Sequence, residues 1–292
     1  MTALAIVLVL IAAVLHATWN LFSKQAERTG GGPLFVWLVA ICAAMIYAPV
    51  AFYTIRISHA DFVLSGEAIV AILGSALLHL VYYLMLQKGY RVGDLSLVYP
   101  VARGSAPILV TIGAITLFGE RPSLTALFGA VLVSVSIFLL AGSRGEGSDP
   151  TSAKKAIQYG LYIALLIAAY TLWDKHAVSM WLLSPVLLDW GSNLIRTLLM
   201  LPYVVPRWEK VKKEWQANGR RALLVGILSP LAYILVLQAM SFTPASYIAP
   251  AREVSILVGT LMGARILHEG GTWRRLTGAC GMVVALIALA LG

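Results

Sequence analysis

Charged residues are scarce in this chain: Asp, Glu, Lys and Arg make up 12% of its 292 residues, whereas hydrophobic residues make up 60%. The mean hydropathy is +0.85. A soluble domain of this length needs far more polar surface, and apolar runs of about 17–25 residues are long enough to cross a bilayer. The composition therefore excludes a soluble globular protein and indicates an integral membrane protein.

Cysteine and catalytic motifs are also lacking. Cys42 and Cys280 lie in apolar runs near opposite ends of the chain, so the sequence has neither a disulfide framework nor a metal-ligand spacing. The stretch GGGPLF lacks the Lys-Ser/Thr of a Walker A loop, and no HExxH, GxSxG or pair of membrane aspartates occurs. We therefore predict no cofactor, no metal and no ATP-driven pump, and we expect the protein not to be an enzyme.

Acidic side chains are outnumbered, 13 against 22 Lys and Arg, which gives a net charge of +9. In a membrane chain basic residues favour cytoplasmic loops that face anionic lipid. The predicted partners are therefore a lipid bilayer and a small-molecule substrate, and no nucleic acid; we expect a monomer or a weak homo-oligomer. The first apolar run lacks the basic leader region and cleavage site of a signal peptide, so we predict that it is retained.

Polar breaks divide the chain into ten apolar segments, which are too long and too uniformly apolar for barrel strands. The predicted fold class is an all-α integral membrane protein with ten transmembrane helices around a central cavity. The predicted segments, numbered 1 to 10, are residues 3–22, 33–54, 68–87, 95–118, 124–142, 157–176, 183–206, 222–242, 245–267 and 275–291.

Two polar stretches organise these segments. SRGEGSDPTSAKK is typical of a flexible linker and leaves five segments on each side. We therefore predict a first repeat at residues 1–142, a linker at 143–156 and a second repeat at 157–292. The second stretch, RWEKVKKEWQANGRR, is predicted to be a break facing lipid headgroups between segments 7 and 8.

The distribution of basic residues predicts the orientation of the chain. Fifteen Lys and Arg residues lie at or beside the breaks after odd-numbered segments, and three lie at or beside those after even-numbered segments. The positive-inside bias then places both termini outside a multi-pass membrane, which we expect to be a bacterial-type inner membrane.

The two halves share residues in register. The pairs that align at shifts of 149 or 151 positions are Ala102/Ala251, Arg103/Arg252, Glu120/Glu269, Gly129/Gly278, Lys24/Lys175, Tyr82/Tyr233 and Gln87/Gln238. Because five is odd, the second copy must enter the membrane from the opposite face. The result is an inverted repeat, which is typical of secondary transporters with a substrate site near the midplane.

Several motifs then resemble one family. HATWNLFSK ends segment 1, TLWDKHA ends segment 6, and LFGE and ILHE close segments 4 and 9. With the 5+5 arrangement, the chain resembles the EamA branch of the drug/metabolite transporter superfamily over nearly its whole length, and most closely the amino-acid exporters of the YddG type. This resemblance implies a central cavity lined by segments 1, 3, 4, 6, 8 and 9.

Arg103 and Arg252 are ionised residues inside predicted spans, where such residues normally face water or a partner. Their matched positions predict that they lie near each other, and a guanidinium offers a planar fork for a carboxylate or phosphate. The alternative is structural: Arg252 pairs with Glu253, and both arginines brace backbone carbonyls freed by prolines. Four prolines are predicted to act as hinges near the site, with tight packing as the compatible alternative: Pro100, Pro107, Pro230 and Pro250.

Segment 3 carries a polar stripe in which Ser75, His79, Tyr82 and Tyr83 share one helix face. His79 is expected to bind a substrate amino or carboxyl group or to carry a coupled proton, and the alternative is a packed histidine. Aromatic residues are predicted to form a cavity wall, although Trp and Tyr near helix ends are often interface anchors. The predicted substrate-binding residues are Trp19, His79, Tyr82, Tyr99, Arg103, Tyr233 and Arg252.

Acidic residues receive mostly structural interpretations. Glu120 and Glu269 are expected to pair with basic loop residues or with helix ends. Asp189 and Arg196 share one face of segment 7 and are expected to bury against neighbours. Small multidrug members of the superfamily carry an acid in helix 1, and segment 1 has none, which argues against cationic drug–proton exchange of that type.

The function that we expect is secondary transport of small metabolites, specifically neutral or aromatic amino acids moved outward by alternating access. The alternatives are a carrier of a phosphate- or phosphonate-bearing organic anion, a carrier of cationic drugs, a channel, and an intramembrane enzyme. A carrier saturates and shows counterflow, whereas a channel does not.

Overall fold

The structure is a computed structural model that describes residues 1–27, 29–57, 65–92, 95–140, 150–259 and 273–292. The longer helices of these ranges, labelled in chain order, are α1 (Ala3–Glu27), α2 (Pro33–Ile57), α3 (Gly66–Val92), α4 (Leu95–Phe118), α5 (Leu124–Leu140), α6 (Pro150–Ser179), α7 (Pro185–Leu199), α8 (Trp208–Phe242), α9 (Ala245–Arg252) and α10 (Trp273–Leu291).

Within the described ranges, six helical stretches are long and apolar enough to cross a membrane, and two shorter apolar helices accompany them. The six are Ala3–Ala26, Pro33–Ile57, Gly66–Leu86, Val98–Phe118, Ala153–Ser179 and Leu201–Phe242. The prediction of a helical membrane protein is therefore confirmed at this level. The count of ten spans stays a prediction, since residues 260–272 of predicted segment 9 and the following break lie outside the described residues.

Predicted segment 7, residues 183–206, is not one helix. The helix α7 ends at Leu199, and a short helix, Leu201–Val204, and a 3-10 turn, Val205–Arg207, connect it to α8. Pro202 and Pro206 explain the interruption, because proline has no backbone N–H and its ring clashes with the preceding helical turn.

Two predicted polar breaks are partly helical instead. Residues 208–221 form the first part of α8, and residues 150–156 of the predicted linker form the start of α6. Lys, Arg, Glu and Gln have high helix propensity, so a polar composition does not by itself stop a helix. Residues 141–149, which include the Gly- and Ser-rich part of the linker, lie outside the described residues.

The packing inside the bundle relies on small side chains. In α1, Ala5, Ala12 and Ala13 are buried, whereas Leu4 and Val14 are 59% and 50% exposed. This distribution suits a lipid environment, where large apolar side chains are as favourable outside as inside and small residues let backbones approach closely. Similarly, Gly129 of α5 lies where a side chain would meet Leu289 of α10 at 2.9 Å.

Both termini lie at the same end of the bundle. The amino group of Met1 donates to the carbonyl oxygen of Ala290 at 3.0 Å. The Tyr247 hydroxyl, near the start of α9, donates to the carbonyl oxygen of Gly292 at 3.2 Å and accepts from the Ser123 backbone N–H at 3.1 Å. The turn between α4 and α5 therefore lies at this end as well.

The turn between α8 and α9 is held by two side chains of opposite charge. Glu120, just after α4, accepts hydrogen bonds from the backbone N–H groups of Ala245 and Ser246 at 2.8 and 3.0 Å, and from the Ser246 hydroxyl. Lys175 of α6 donates to the carbonyl oxygens of Met240 and Thr243 at 2.6 and 3.1 Å. The anion thus neutralises a helix N-terminus and the cation a helix C-terminus.

This arrangement also defines the relative direction of two helices. The C-terminal end of α4 lies at the N-terminal end of α9, so α4 and α9 run in opposite directions. Of the two interpretations of Glu120, the helix end is the one that the structure shows; its repeat partner Glu269 lies outside the described residues.

Replacing Glu120 with Ala removes the three hydrogen bonds to the start of α9. We expect the free energy of unfolding to fall by on the order of 2 kcal/mol, because a lost cap leaves backbone N–H groups unpaired. Thermal unfolding of the detergent-solubilised protein measures the change.

The matched control is Glu209→Ala, which removes an ion pair with Lys212 at 2.9 Å from a side chain that is 79% exposed. That variant should change the free energy of unfolding by less than about 0.5 kcal/mol. Equal losses in the two variants would show that the Glu120 contacts do not hold the turn.

Candidate substrate site

Three charged side chains meet between α4 and α9. Glu253 is 1% exposed, and its Oε2 lies 3.0 Å from Nη2 of Arg103. The other oxygen of the same carboxylate, Oε1, lies 3.4 Å from Nε of Arg252. A single carboxylate therefore bridges the two arginines that the sequence aligns.

The position of this carboxylate depends on a break in the helix. The helix α9 ends at Arg252, Glu253 forms a turn, and residues 254–259 are helical again. Pro250 lies three residues before the turn and cannot donate a backbone hydrogen bond. The Glu253 N–H accordingly bonds to the Pro250 carbonyl oxygen, three residues back, at 3.1 Å. Backbone irregularity and charge therefore coincide, as is usual at transporter sites.

Tyr170 of α6 connects the arginines to the polar stripe of α3. Its ring lies 5.8 Å from the Arg252 guanidinium carbon, 4.3 Å from the His79 ring and 5.4 Å from the Tyr82 ring. The Tyr233 ring of α8 lies 6.4 Å away. These distances are typical of aromatic and cation–π contacts.

Asp174 lies one helical turn after Tyr170 and is fully buried. Its Oδ2 accepts a hydrogen bond from the Tyr233 hydroxyl at 2.5 Å and lies 4.0 Å from Nε2 of His79. The Ser75 side chain lies beside the same carboxylate. The Asp174 carboxylate is therefore the anion next to His79 and Tyr233, and Glu253 is the anion next to the two arginines.

The formal charges of the cluster cancel. Arg103 and Arg252 contribute two positive charges, and Glu253 and Asp174 contribute two negative charges, with His79 neutral. Since burial of an uncompensated charge is costly, such a balance is expected among charged side chains that are buried together.

The structure brings together six of the seven residues predicted to bind substrate. His79, Tyr82 and Tyr233 contact Tyr170, Arg103 and Arg252 share Glu253, and Tyr99 lies beside the Arg103 guanidinium. The seventh, Trp19, packs against the His16 ring at 4.8 Å, and His16 lies within electrostatic reach of both arginines. Trp19 is therefore placed one contact farther out.

The four predicted hinge prolines lie within helices: Pro100, Pro107, Pro230 and Pro250. Of these, Pro250 precedes the break at Glu253, whereas α4 and α8 continue through their prolines. Their action as hinges stays a prediction.

The polar residues of α7 form a network that extends to Tyr83 of α3. Asn193 donates to Oδ2 of Asp189 at 3.0 Å and accepts from Nη2 of Arg196 at 2.7 Å. The Arg196 guanidinium carbon lies 5.5 Å from the Tyr83 ring. Asn193 therefore links Asp189 to Arg196 by hydrogen bonds within one helix.

Two residues that complete the cluster were missed as site residues. Asp174 was treated only as part of a family motif, and Glu253 only as a neighbour of Arg252. The signal for both was available, since an acidic residue inside an apolar span is itself the mark of a functional position or of a buried ion pair.

A separate apolar pocket of about 320 Å³ opens beside the ends of α4 and α6. Its lining includes Phe118, Trp173 and Trp181, and it contains none of the residues predicted to bind substrate. Within the described ranges, no group of three or more His, Cys, Asp or Glu side chains is placed to hold a metal ion.

The bridge predicts a non-additive stability pattern. Glu253→Gln leaves two buried arginines without their carboxylate and should lower the free energy of unfolding by about 3–5 kcal/mol. The double variant Glu253→Gln with Arg103→Gln should lose less than the sum of the two single variants, because each removes the partner of the other. Thermal unfolding of the four proteins measures this coupling; additive losses would contradict the bridge.

Comparisons with known proteins agree with this architecture. The model of the EamA-like transporter family matches residues 3–142 and again residues 154–291. An uncharacterized transporter from Archaeoglobus fulgidus is 24% identical over 193 residues, which span 65% of this chain and 64% of that protein's length. A solved crystal structure superposes with a TM-score of 0.75 at 14% identity, covering 100% of this chain and 98% of that one, and this likeness concerns the fold alone. The chain belongs to the EamA-like transporter family.

Proposed function

We propose that this transporter carries zwitterionic amino acids, with neutral or aromatic side chains, outward by alternating access. The observation that supports the proposal most directly is the charge pattern of the buried cluster. Arg103 and Arg252 share the Glu253 carboxylate, Asp174 lies 4.0 Å from His79, and the Tyr170 ring contacts both Arg252 and His79.

An α-amino acid matches this pattern. Its carboxylate complements a guanidinium, and its ammonium group complements Asp174. The rings of Tyr82, Tyr170 and Tyr233 offer apolar faces to a neutral or aromatic side chain. The cluster has no formal net charge. A bound zwitterion leaves it neutral, whereas a phosphorylated anion or a drug cation would give it a net charge.

Alternating access is supported by the relation of the two halves. Both match the same family model, and α4 and α9 run in opposite directions with their charged residues in contact. An inverted repeat of this kind supplies two related gates around one site.

The carboxylate and the ammonium of the substrate should both be required. In proteoliposomes that exchange labelled phenylalanine, unlabelled phenylalanine should compete at least about tenfold better than phenethylamine or 3-phenylpropionate, because each analogue lacks one charge-assisted hydrogen bond of about 1.5–3 kcal/mol. Counterflow with a panel of amino acids, organic phosphates and cationic drugs extends the test. Exchange of organic phosphates alone, or of cations alone, would overturn the proposal.

Arg252 should contribute to substrate affinity. Arg252→Gln is expected to raise the KM for phenylalanine about tenfold or more, since a charged donor to the carboxylate is lost. The matched control is Arg196→Gln, another buried arginine, which bonds to Ser192 and Asn193 of α7 and to the Tyr83 side chain of α3. The control should change the yield of folded protein but keep the KM near that of the unaltered protein; equal KM values for both variants and the unaltered protein would place the carboxylate elsewhere.

A further inference from the structure

A backbone contact of His79 indicates which of its two ring nitrogens carries a proton. Nδ1 of His79 lies 2.9 Å from the carbonyl oxygen of Ser75 in the preceding turn of α3. A carbonyl oxygen only accepts hydrogen bonds, so Nδ1 must carry a proton. In a neutral histidine the other ring nitrogen, Nε2, then has a bare lone pair.

That lone pair faces another acceptor. Nε2 lies 4.0 Å from Oδ2 of Asp174, a distance too long for a hydrogen bond between the two groups. Both side chains are buried, His79 at 9% and Asp174 at 0% exposure. Two acceptors that face each other in a buried site call for a donor between or beside them.

Asp174 is also less well compensated than Glu253. Glu253 contacts two arginines, whereas the ion-pair partner within reach of Asp174 is His79 at 4.0 Å. The Asp174 carboxylate accepts hydrogen bonds from two neutral side chains, those of Tyr233 and Ser75.

The charged groups of the surrounding helices have partners other than the acceptor pair of His79 and Asp174. The titratable and charged groups nearest to the pair on α3, α4, α6, α7, α8 and α9 are Tyr82, Tyr83, Tyr99, Arg103, Tyr170, Lys175, Asp189, Arg196, Tyr233, Arg252 and Glu253. Arg103 and Arg252 bind Glu253, Arg196 binds Asn193, and Lys175 binds backbone carbonyls.

We propose that Asp174 and His79 together form a proton site, and that a proton and the substrate ammonium occupy it alternately. The carrier then exchanges one proton for one zwitterionic substrate. This inference rests on the proposed function and adds the coupling ion to it.

The geometry admits either occupant. A proton on Nε2 turns the contact into an ion pair, and a proton on Oδ2 of Asp174 lets the two groups form a hydrogen bond once they approach to within about 3 Å. A substrate ammonium nitrogen about 2.8 Å from both acceptors would subtend an angle of roughly 90°, which suits two of its N–H bonds. One nitrogen and one proton cannot hold the same acceptor positions together, so binding of one releases the other.

The charge and the proton moved in each transport cycle balance. The substrate-loaded cluster has no formal net charge, since the zwitterion itself is neutral. The returning cluster carries the proton and is more positive by one charge. Each cycle therefore moves one proton inward as one substrate moves outward, and it carries one net positive charge inward.

The first experiment uses purified protein in liposomes that contain a pH-sensitive dye. Addition of a phenylalanine gradient should drive proton movement opposite to phenylalanine, and a potential imposed with potassium and valinomycin should change the rate. The KM for phenylalanine should rise as the pH falls, approaching about tenfold per pH unit once protons occupy most sites. Phenylalanine flux without proton movement and with a pH-independent KM would overturn the proton site.

The variant Asp174→Asn tests the residue. An amide neither takes up the proton nor attracts the ammonium, so its KM should be higher and independent of pH, with no proton movement. Phenylalanine counterflow at high concentration should survive, because counterflow needs no net proton transfer. The matched control is Asp189→Asn, another buried aspartate, which should keep proton movement coupled to phenylalanine. Coupled proton movement in Asp174→Asn, or its loss in Asp189→Asn alone, would overturn the assignment.

A measurement without substrate separates this inference from the proposed function. Infrared difference spectra between acidic and alkaline buffer should show proton uptake in the unaltered protein, as a carboxylic acid band from Asp174 or an imidazolium band from His79. This signal should disappear in Asp174→Asn and stay in Asp189→Asn. If no amino acid is transported but this signal is present, the proposed function fails and the proton site stands. If amino acids are exchanged and the signal is absent from every protein, the proton site fails alone.

Discussion

The carboxylate of Glu253 lies between two arginine side chains in a part of the molecule that excludes water, and the electrostatics of the bundle depend on it. Without it, Arg103 and Arg252 would place two like charges together among apolar helices, which a membrane protein tolerates only with a partner. The bridge ties α4 of one half to α9 of the other. It also occupies the turn where α9 is interrupted after Pro250, so the same residue holds the halves together and marks where the backbone departs from a regular helix.

A second acid, Asp174, completes the charge balance of the cluster. Because one carboxylate neutralises the arginine pair only in part, the charge of Asp174 brings the formal total to zero. The Tyr170 ring contacts both Arg252 and His79, and His79 lies 4.0 Å from Asp174. This arrangement complements a zwitterion and provides the acceptor pair with His79 from which the proton site is inferred. Substrate recognition and proton coupling would then share one set of side chains.

The same physical rule operates at the end of the bundle. Glu120 and Lys175 satisfy the backbone groups at the two helix ends that meet in the turn between α8 and α9. In a medium that offers few alternative hydrogen-bond partners, helix ends need such internal partners. Glu120 and Lys175 therefore each have a local structural role, whereas the role that we propose for the His79–Asp174 pair is to bind a proton or the substrate ammonium.

The membrane class, most of the helices, the two repeats and the family were predictable from the amino-acid sequence, because apolar length, repeat register and motif spacing are properties of the linear chain. The sequence also identified both arginines, His79 and the tyrosines, since polar groups in apolar spans are conspicuous. It did not show that α7 stops at Leu199, that the basic stretch joins α8, or that Glu253 and Asp174 complete the cluster. Those features depend on which helices pack together and which side chains meet across them. Helix packing and side-chain contacts follow from the three-dimensional fold, because the interaction between two charges depends on their distance in space and not on their separation along the chain.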